Sequence, residues 1–140
     1  MDLSNIYQRI IMQKASECPN NNQFDSDVHL TNPTCGDDIS MAADEKNPKV
    51  ENLQVACDGC IICKGATQMM LETIQDKSAD QINELVLNMS KMMTHEDYNK
   101  ELLGDLVAFK SVVHLPIRIK CAMLPFKAIY QLINGDDINR

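Results

Sequence analysis

A thiol and a carboxylate two residues apart on a tight turn, in Asn32-Pro33-Thr34-Cys35-Gly36-Asp37-Asp38, constrain this chain more than any other stretch. Asn-Pro is a turn-forming pair, and Gly36 permits backbone angles that a side chain forbids, so Cys35 and Asp37 can converge on one point. That is half of a metal site. Zinc takes four ligands as a rule, and thiolate plus carboxylate is an acceptable but incomplete set. A fold that uses this turn must bring further ligands to it.

Two other segments offer them. Cys57-Asp58-Gly59-Cys60-Ile61-Ile62-Cys63 lies between an expected strand and an expected helix. Thiols at a helix start meet unpaired N–H groups and the positive end of the helix dipole, which favour thiolate and ready Cys60 as a ligand or nucleophile. Cys121 follows Arg118 and Lys120, whose charges act in the same sense. The spacing of Cys57, Cys60 and Cys63 also reproduces the C-x2-C-x2-C start of a ferredoxin-type motif. However, the next expected cysteine falls at Thr67, no Cys-Pro follows, and Cys63 should already be helical. Zinc-finger order is weaker still, because there is no second paired-ligand knuckle.

Composition decides between ligands and bridges. The first five residues show no positive region leading into an apolar one, and no apolar run reaches membrane-spanning length, so a cytoplasmic protein with no membrane contact is expected. In that compartment the six cysteines read as ligands or reactive thiols rather than disulfides. A net charge of −7 argues against nucleic acid, which needs clustered Lys and Arg. At 140 residues the length suits one domain, residues 1–140, and a monomer is the default. With no Trp, nine Met and the Ile/Leu runs must fill the core.

Periodicity predicts a helix from about Ser4 to Ser16 and strands at Ser26–Thr31, Ile39–Ala43 and Val50–Val55. A helix from Ile61 should end near Asp76-Lys77, and Ser78-Ala79-Asp80-Gln81 is a capping box for the next, with Ile82, Leu85, Val86, Met89, Met92 and Met93 inward. Helical spacing resumes over Leu102–Val113 around a Gly104-Asp105 break. A last helix starts at Pro116, is kinked at Pro125 and closes at Asn134-Gly135. One helix, three strands and then helices make an α+β fold: a small three-stranded antiparallel sheet with helices packed mainly on one face.

Taken together, Asn32-Pro33-Thr34-Cys35-Gly36-Asp37, Gly59-Cys60 with Ala66 and Met69-Met70, and Arg118-Ile119-Lys120-Cys121 resemble the U-type iron-sulfur cluster assembly family, which comprises IscU, SufU and the N-terminal domain of NifU. The resemblance runs from the first helix nearly to the C-terminus. It implies the family's α+β sandwich and the metal ligands Cys35, Asp37, Cys60 and Cys121. IscU-like members carry a His immediately before the last cysteine and a Leu-Pro-Pro-Val-Lys motif. Here Lys120 and Leu115-Pro116-Ile117-Arg118-Ile119 stand instead, and the long Cys60 to Cys121 segment looks like the SufU insertion. The SufU branch implies a zinc (Zn2+) site that accepts persulfide sulfur from a SufS-type cysteine desulfurase. Cys35, on its glycine-flanked loop, is the acceptor expected to detach and attack. The alternative within the family is a scaffold that holds a transient 2Fe-2S cluster for apo iron-sulfur proteins or downstream assembly factors.

Other residues carry plainer expectations. Cys57 and Cys63 stand where the family has small residues, so packing is favoured over extra ligation, although both can compete for metal or pair on oxidation. Cys18 is incidental, His29, His95 and His114 are not ligands, and the Met pairs are core. Arg118 and Lys120 are assigned to partner docking or thiolate support. A structural zinc adaptor would need four permanent ligands, against which Asp37 argues. No phosphate loop, Ser-His-Asp order or H-E-x-x-H helix suggests a conventional enzyme.

Overall fold

In the computed structural model, residues 3–136 and 138 are described; Met1 and Asp2, part of the N-terminal stretch read above, lie outside them. Strands β1 (Val28–Asn32), β2 (Asp37–Ala42) and β3 (Gln54–Asp58) pair antiparallel in the order β1-β2-β3. The register stacks Val28, Met41 and Val55 in one rung and Leu30, Ile39 and Cys57 in the next. Successive side chains of a strand point to opposite faces, so these rungs share the face that Asn32 and Asp37 extend at the end of the β1-β2 pair. Central β2 is the best covered, with Ile39 and Met41 fully buried.

Helices cover that sheet. They are α1 (Leu3–Glu17), α2 (Ile61–Thr73), α3 (Ala79–Met93), α4 (Lys100–Leu103) and α5 (Pro116–Asn134), with a 3-10 helix at Gly104–Val112 between the last two. α5 lies against β1 and β2, α2 against β3, and α1 against α2. Met69, Met70, Met89 and Met92 are buried in the resulting core, the role expected of methionine in a chain without Trp. The capping box is complete: Gln81 N–H donates to Ser78 Oγ at 3.2 Å and Ser78 N–H to Gln81 Oε1 at 2.8 Å. The buried residues of α3 include the whole Ile82, Leu85, Val86, Met89, Met92 and Met93 stripe.

Two expectations shift. The third strand runs from Gln54 to Asp58 rather than from Val50 to Val55, because Asn52 takes a positive φ of 54° that breaks extended backbone. Val50 and Leu53 instead pack at the edge of the core from the connection. Between Leu103 and Val112 the chain winds as a 3-10 helix, the tighter form that eclipses side chains three apart, and Leu106, Phe109 and Val112 meet the core at that spacing. α5 continues through a buried Pro125 to Asn134. Among the described residues no helix is long and apolar enough to cross a membrane.

Candidate metal centre

The turn between β1 and β2 has the geometry its residues require. Cys35 N–H donates to Asn32 O at 3.3 Å, Gly36 N–H to Pro33 O at 3.4 Å, and Gly36 adopts φ +69°. The chain therefore reverses within four residues and delivers Asp37 onto the buried face, where it is 2% exposed. Its carboxylate is held from two sides. Oδ1 accepts the Cys60 backbone N–H at 2.8 Å and Oδ2 accepts Asn32 Nδ2 at 3.2 Å.

From the opposite layer, α5 brings Cys121, whose thiol is fully buried and donates to Ile117 O at 3.5 Å. The ligand atoms of Cys35, Asp37 and Cys121 all lie within 4.8 Å of one another. Cys60 stands outside this tight trio. Its thiol faces Cys121 from the residue that caps α2, where it makes no side-chain cap bond. The donors suit a borderline-soft divalent ion: two thiols and a carboxylate already converge, and a third thiol adjoins them.

Burial pushes up both Cys60 and Cys121, so each holds its proton in the absence of a cation. Metal binding must then displace protons, and affinity rises with pH. Arg118 lies one helical turn before Cys121 and faces Cys60, Cys35 and Cys121; negative charge on these sulfurs, once they lose their protons, raises its own pKa. Lys120 points elsewhere. It lines a separate cleft with Leu30, Thr31, Asn32 and Lys127, as its place on the neighbouring face of α5 dictates. Cys57 and Cys63 are buried behind the site with sulfurs 3.4 Å apart. His29 pairs with Asp38 at 2.8 Å, His95 stacks on His114, and among the described residues no histidine joins the cluster of ligand atoms.

Two residues do more than their sequence motifs suggest. Asn32 is more than a turn former: besides Asp37, its Nδ2 donates to Cys121 Sγ at 3.5 Å, which ties the turn to α5. The signal was present in the alternation of β1, which places Asn32 on the face of Val28 and Leu30. Gly59 is the second. A Cβ there would stand 2.9 Å from Asp37 Cα and closer still to its carboxylate, so only glycine lets the Cys60 N–H reach Asp37. Gly59→Ala should therefore weaken metal binding at this cluster by about tenfold or more, the usual effect of disturbing groups that orient ligands. Competition with a chromophoric chelator measures this, and an unchanged affinity would refute the positioning role.

The mouth of the site is apolar. A cleft of about 520 Å³ opens over Cys35 and Cys60, lined also by Leu115, Ile117 and Arg118. A second, of about 460 Å³, runs from Cys60 and Ile61 to Met12. Met12, Ile61, Leu115 and Ile117 are the exposed large hydrophobic side chains among the described residues, at 58%, 49%, 52% and 54% exposure, and all four border these clefts.

Comparison with known proteins agrees with this architecture. The NifU-like N terminal domain family matches residues 7–122. The zinc-dependent sulfurtransferase SufU of Bacillus subtilis is 30% identical over 91% of this chain and 89% of its own length. The iron-sulfur cluster assembly scaffold protein IscU of Streptococcus pyogenes is 29% identical over 94% of this chain and 84% of its own. Among solved structures, a candidate SUF-system scaffold protein from Fervidobacterium islandicum superposes with a TM-score of 0.78 at 25% identity, covering 89% of this chain and 94% of that one. With the three cysteine segments, the sheet order and the helical cover all accounted for, the chain belongs to the NifU-like N-terminal domain family of U-type iron-sulfur cluster assembly proteins.

Proposed function

We propose that this chain is a SufU-type sulfur acceptor, which takes persulfide sulfur from a SufS-type cysteine desulfurase at a zinc site made by Cys35, Asp37, Cys60 and Cys121. The observation that carries the proposal is the convergence of Cys35, Asp37 and Cys121 within 4.8 Å beneath an open cleft. Zinc held there supplies the charge that keeps the thiols deprotonated at neutral pH. Cys60 would complete the set from the start of α2, its thiol already facing Cys121 and its backbone fixed by Asp37.

Cys35 is the acceptor. It is the half-exposed thiol of the trio, whereas Cys121 is fully buried. Its thiolate attacks the outer sulfur of the desulfurase persulfide. A sulfur–sulfur bond forms at Cys35, the bond to the desulfurase cysteine breaks, and that cysteine leaves as thiolate with the electron pair. Arg118 faces the reacting thiols and offsets the negative charge that stays there. Asn32 and Gly59 keep Asp37 and Cys121 in place while the acceptor reacts. Met12, Ile61, Leu115 and Ile117 give the desulfurase an apolar rim to cover, as exposed apolar groups around a site commonly do. The proposal sets the chain in the cytoplasm as a monomer, with apo iron-sulfur proteins or assembly factors downstream.

The second reading, a scaffold with a transient 2Fe-2S cluster as cargo on the same four residues, is favoured by the similarity to a protein named as an IscU scaffold. One pair of assays separates them. Incubation with a cysteine desulfurase and cysteine should load persulfide sulfur on this chain and leave its zinc bound. Failure to accept sulfur, together with a stable and transferable cluster after anaerobic reconstitution, would favour the scaffold.

A further inference from the structure

Cys57 and Cys63 are left unused by the metal centre, yet they are as deeply buried as any side chain in the core, both at 0% exposure. The register puts Cys57 beside Ile39 on the helix-facing side of β3, and α2 presents Cys63 from its first turn. Their sulfurs are 3.4 Å apart. That separation is a thiol–thiol contact, about 1.4 Å longer than a disulfide bond. A third thiol adjoins them. Cys18 follows α1, is half-buried, and faces Cys57. The Cys57 backbone N–H donates to Pro19 O at 2.9 Å, which fixes the segment carrying Cys18 against the end of β3. Cys57 is thus the middle thiol of three, reached from the surface on one side and backed by the core on the other.

We propose that Cys57 and Cys63 are a redox-active dithiol, separate from the metal centre, which a low-molecular-weight disulfide oxidises to an intramolecular bridge through Cys18. The electrons balance by exchange alone. Cys18 attacks the small disulfide, forming a mixed disulfide and releasing one thiol. Cys57 attacks the Cys18 sulfur, forming Cys18–Cys57 and releasing the second thiol. Cys63 then attacks Cys57, and Cys18 leaves, taking up the proton that Cys63 gives. In sum, two protein thiols are oxidised and one small disulfide is reduced to two thiols. The bridge ties the end of β3 to the first turn of α2 across Gly59 and Cys60, so it would link the redox state to the segment that carries a proposed ligand.

The test uses the full-length, zinc-supplemented protein and oxidised glutathione. Free thiols are alkylated, disulfides are reduced and alkylated with a second reagent, and peptide fragmentation assigns each cysteine. The wild type should yield Cys57–Cys63 with Cys18 free. Cys63→Ser should stop at Cys18–Cys57, and Cys57→Ser should retain glutathione on Cys18. Cys18→Ser should form the bridge about tenfold more slowly, as expected when only buried thiols remain. Cys57 and Cys63 both remaining free in the wild type while other cysteines oxidise would overturn the proposal. An unchanged rate in Cys18→Ser would overturn the entry step. The wild-type readout needs no variant to fold, and it does not depend on sulfur transfer, so its failure is distinct from failure of the proposed function.

Discussion

Cys35→Ser is expected to reduce sulfur acceptance from a cysteine desulfurase by roughly a hundredfold or more, because a hydroxyl cannot replace a thiolate in exchange at sulfur. The fold should survive the change. Cys35 is half-exposed on a turn closed by backbone bonds from Cys35 and Gly36, neither of which needs the thiol. The informative comparison is Cys57→Ser, which alters a thiol of the neighbouring cluster and should leave acceptance intact. Sulfur loading is read as a mass increase on this chain after incubation with desulfurase and cysteine. Equal loading of Cys35→Ser and wild type would remove Cys35 from the acceptor role and shift attention to Cys60, the other thiol that borders the open cleft.

Asp37→Ala should do the broadest damage of any single substitution at the site. The carboxylate is 2% exposed and accepts bonds from Cys60 N–H and Asn32 Nδ2, so its loss strands the backbone donor and leaves the amide only its longer bond to Cys121 Sγ. Desolvation of a buried carboxylate opposes this cost. The donors decide the sign, since charge-assisted bonds in a dry site outweigh a burial penalty that they already offset. We expect the metal-free protein to lose about 1–3 kcal/mol, the range for leaving a buried group unsatisfied. Zinc affinity should fall in addition, because the change removes a proposed ligand and frees the Cys60 segment. Thermal unfolding with and without zinc separates the two effects. A metal-free protein as stable as wild type would show that the two donors contribute little.

Much of this is legible in the sequence. The Asn32 to Asp37 turn, the capping box at Ser78 and the stripe of α3 are local patterns, and local patterns fix local structure. The α+β order followed from them, and the three cysteine segments carried the family. What the sequence could not show was mostly long-range. Cys121 meets Asn32 across 89 positions, and Gly59 matters only because Asp37 passes beneath it. The third strand was misplaced because Val50 and Leu53 have the composition of a strand, while Asn52 turns the chain between them and β3. The shift brings Cys57 into the strand itself, where it packs inward as its reading suggests. Cys18 reads as incidental in sequence, yet it stands against Cys57. Arg118 and Lys120 looked equivalent in sequence, but the helical rotation of α5 separates them into different clefts.

The central claim is that one metal ion is held by four residues drawn from the turn, the α2 cap and α5. Anomalous scattering at the zinc edge from crystals of the zinc-loaded full chain tests it most directly. The claim predicts a single site at which the sulfurs of Cys35, Cys60 and Cys121 and a carboxylate oxygen of Asp37 surround the ion. Zinc seated instead between Cys57 and Cys63, or bound without Cys60, would contradict it.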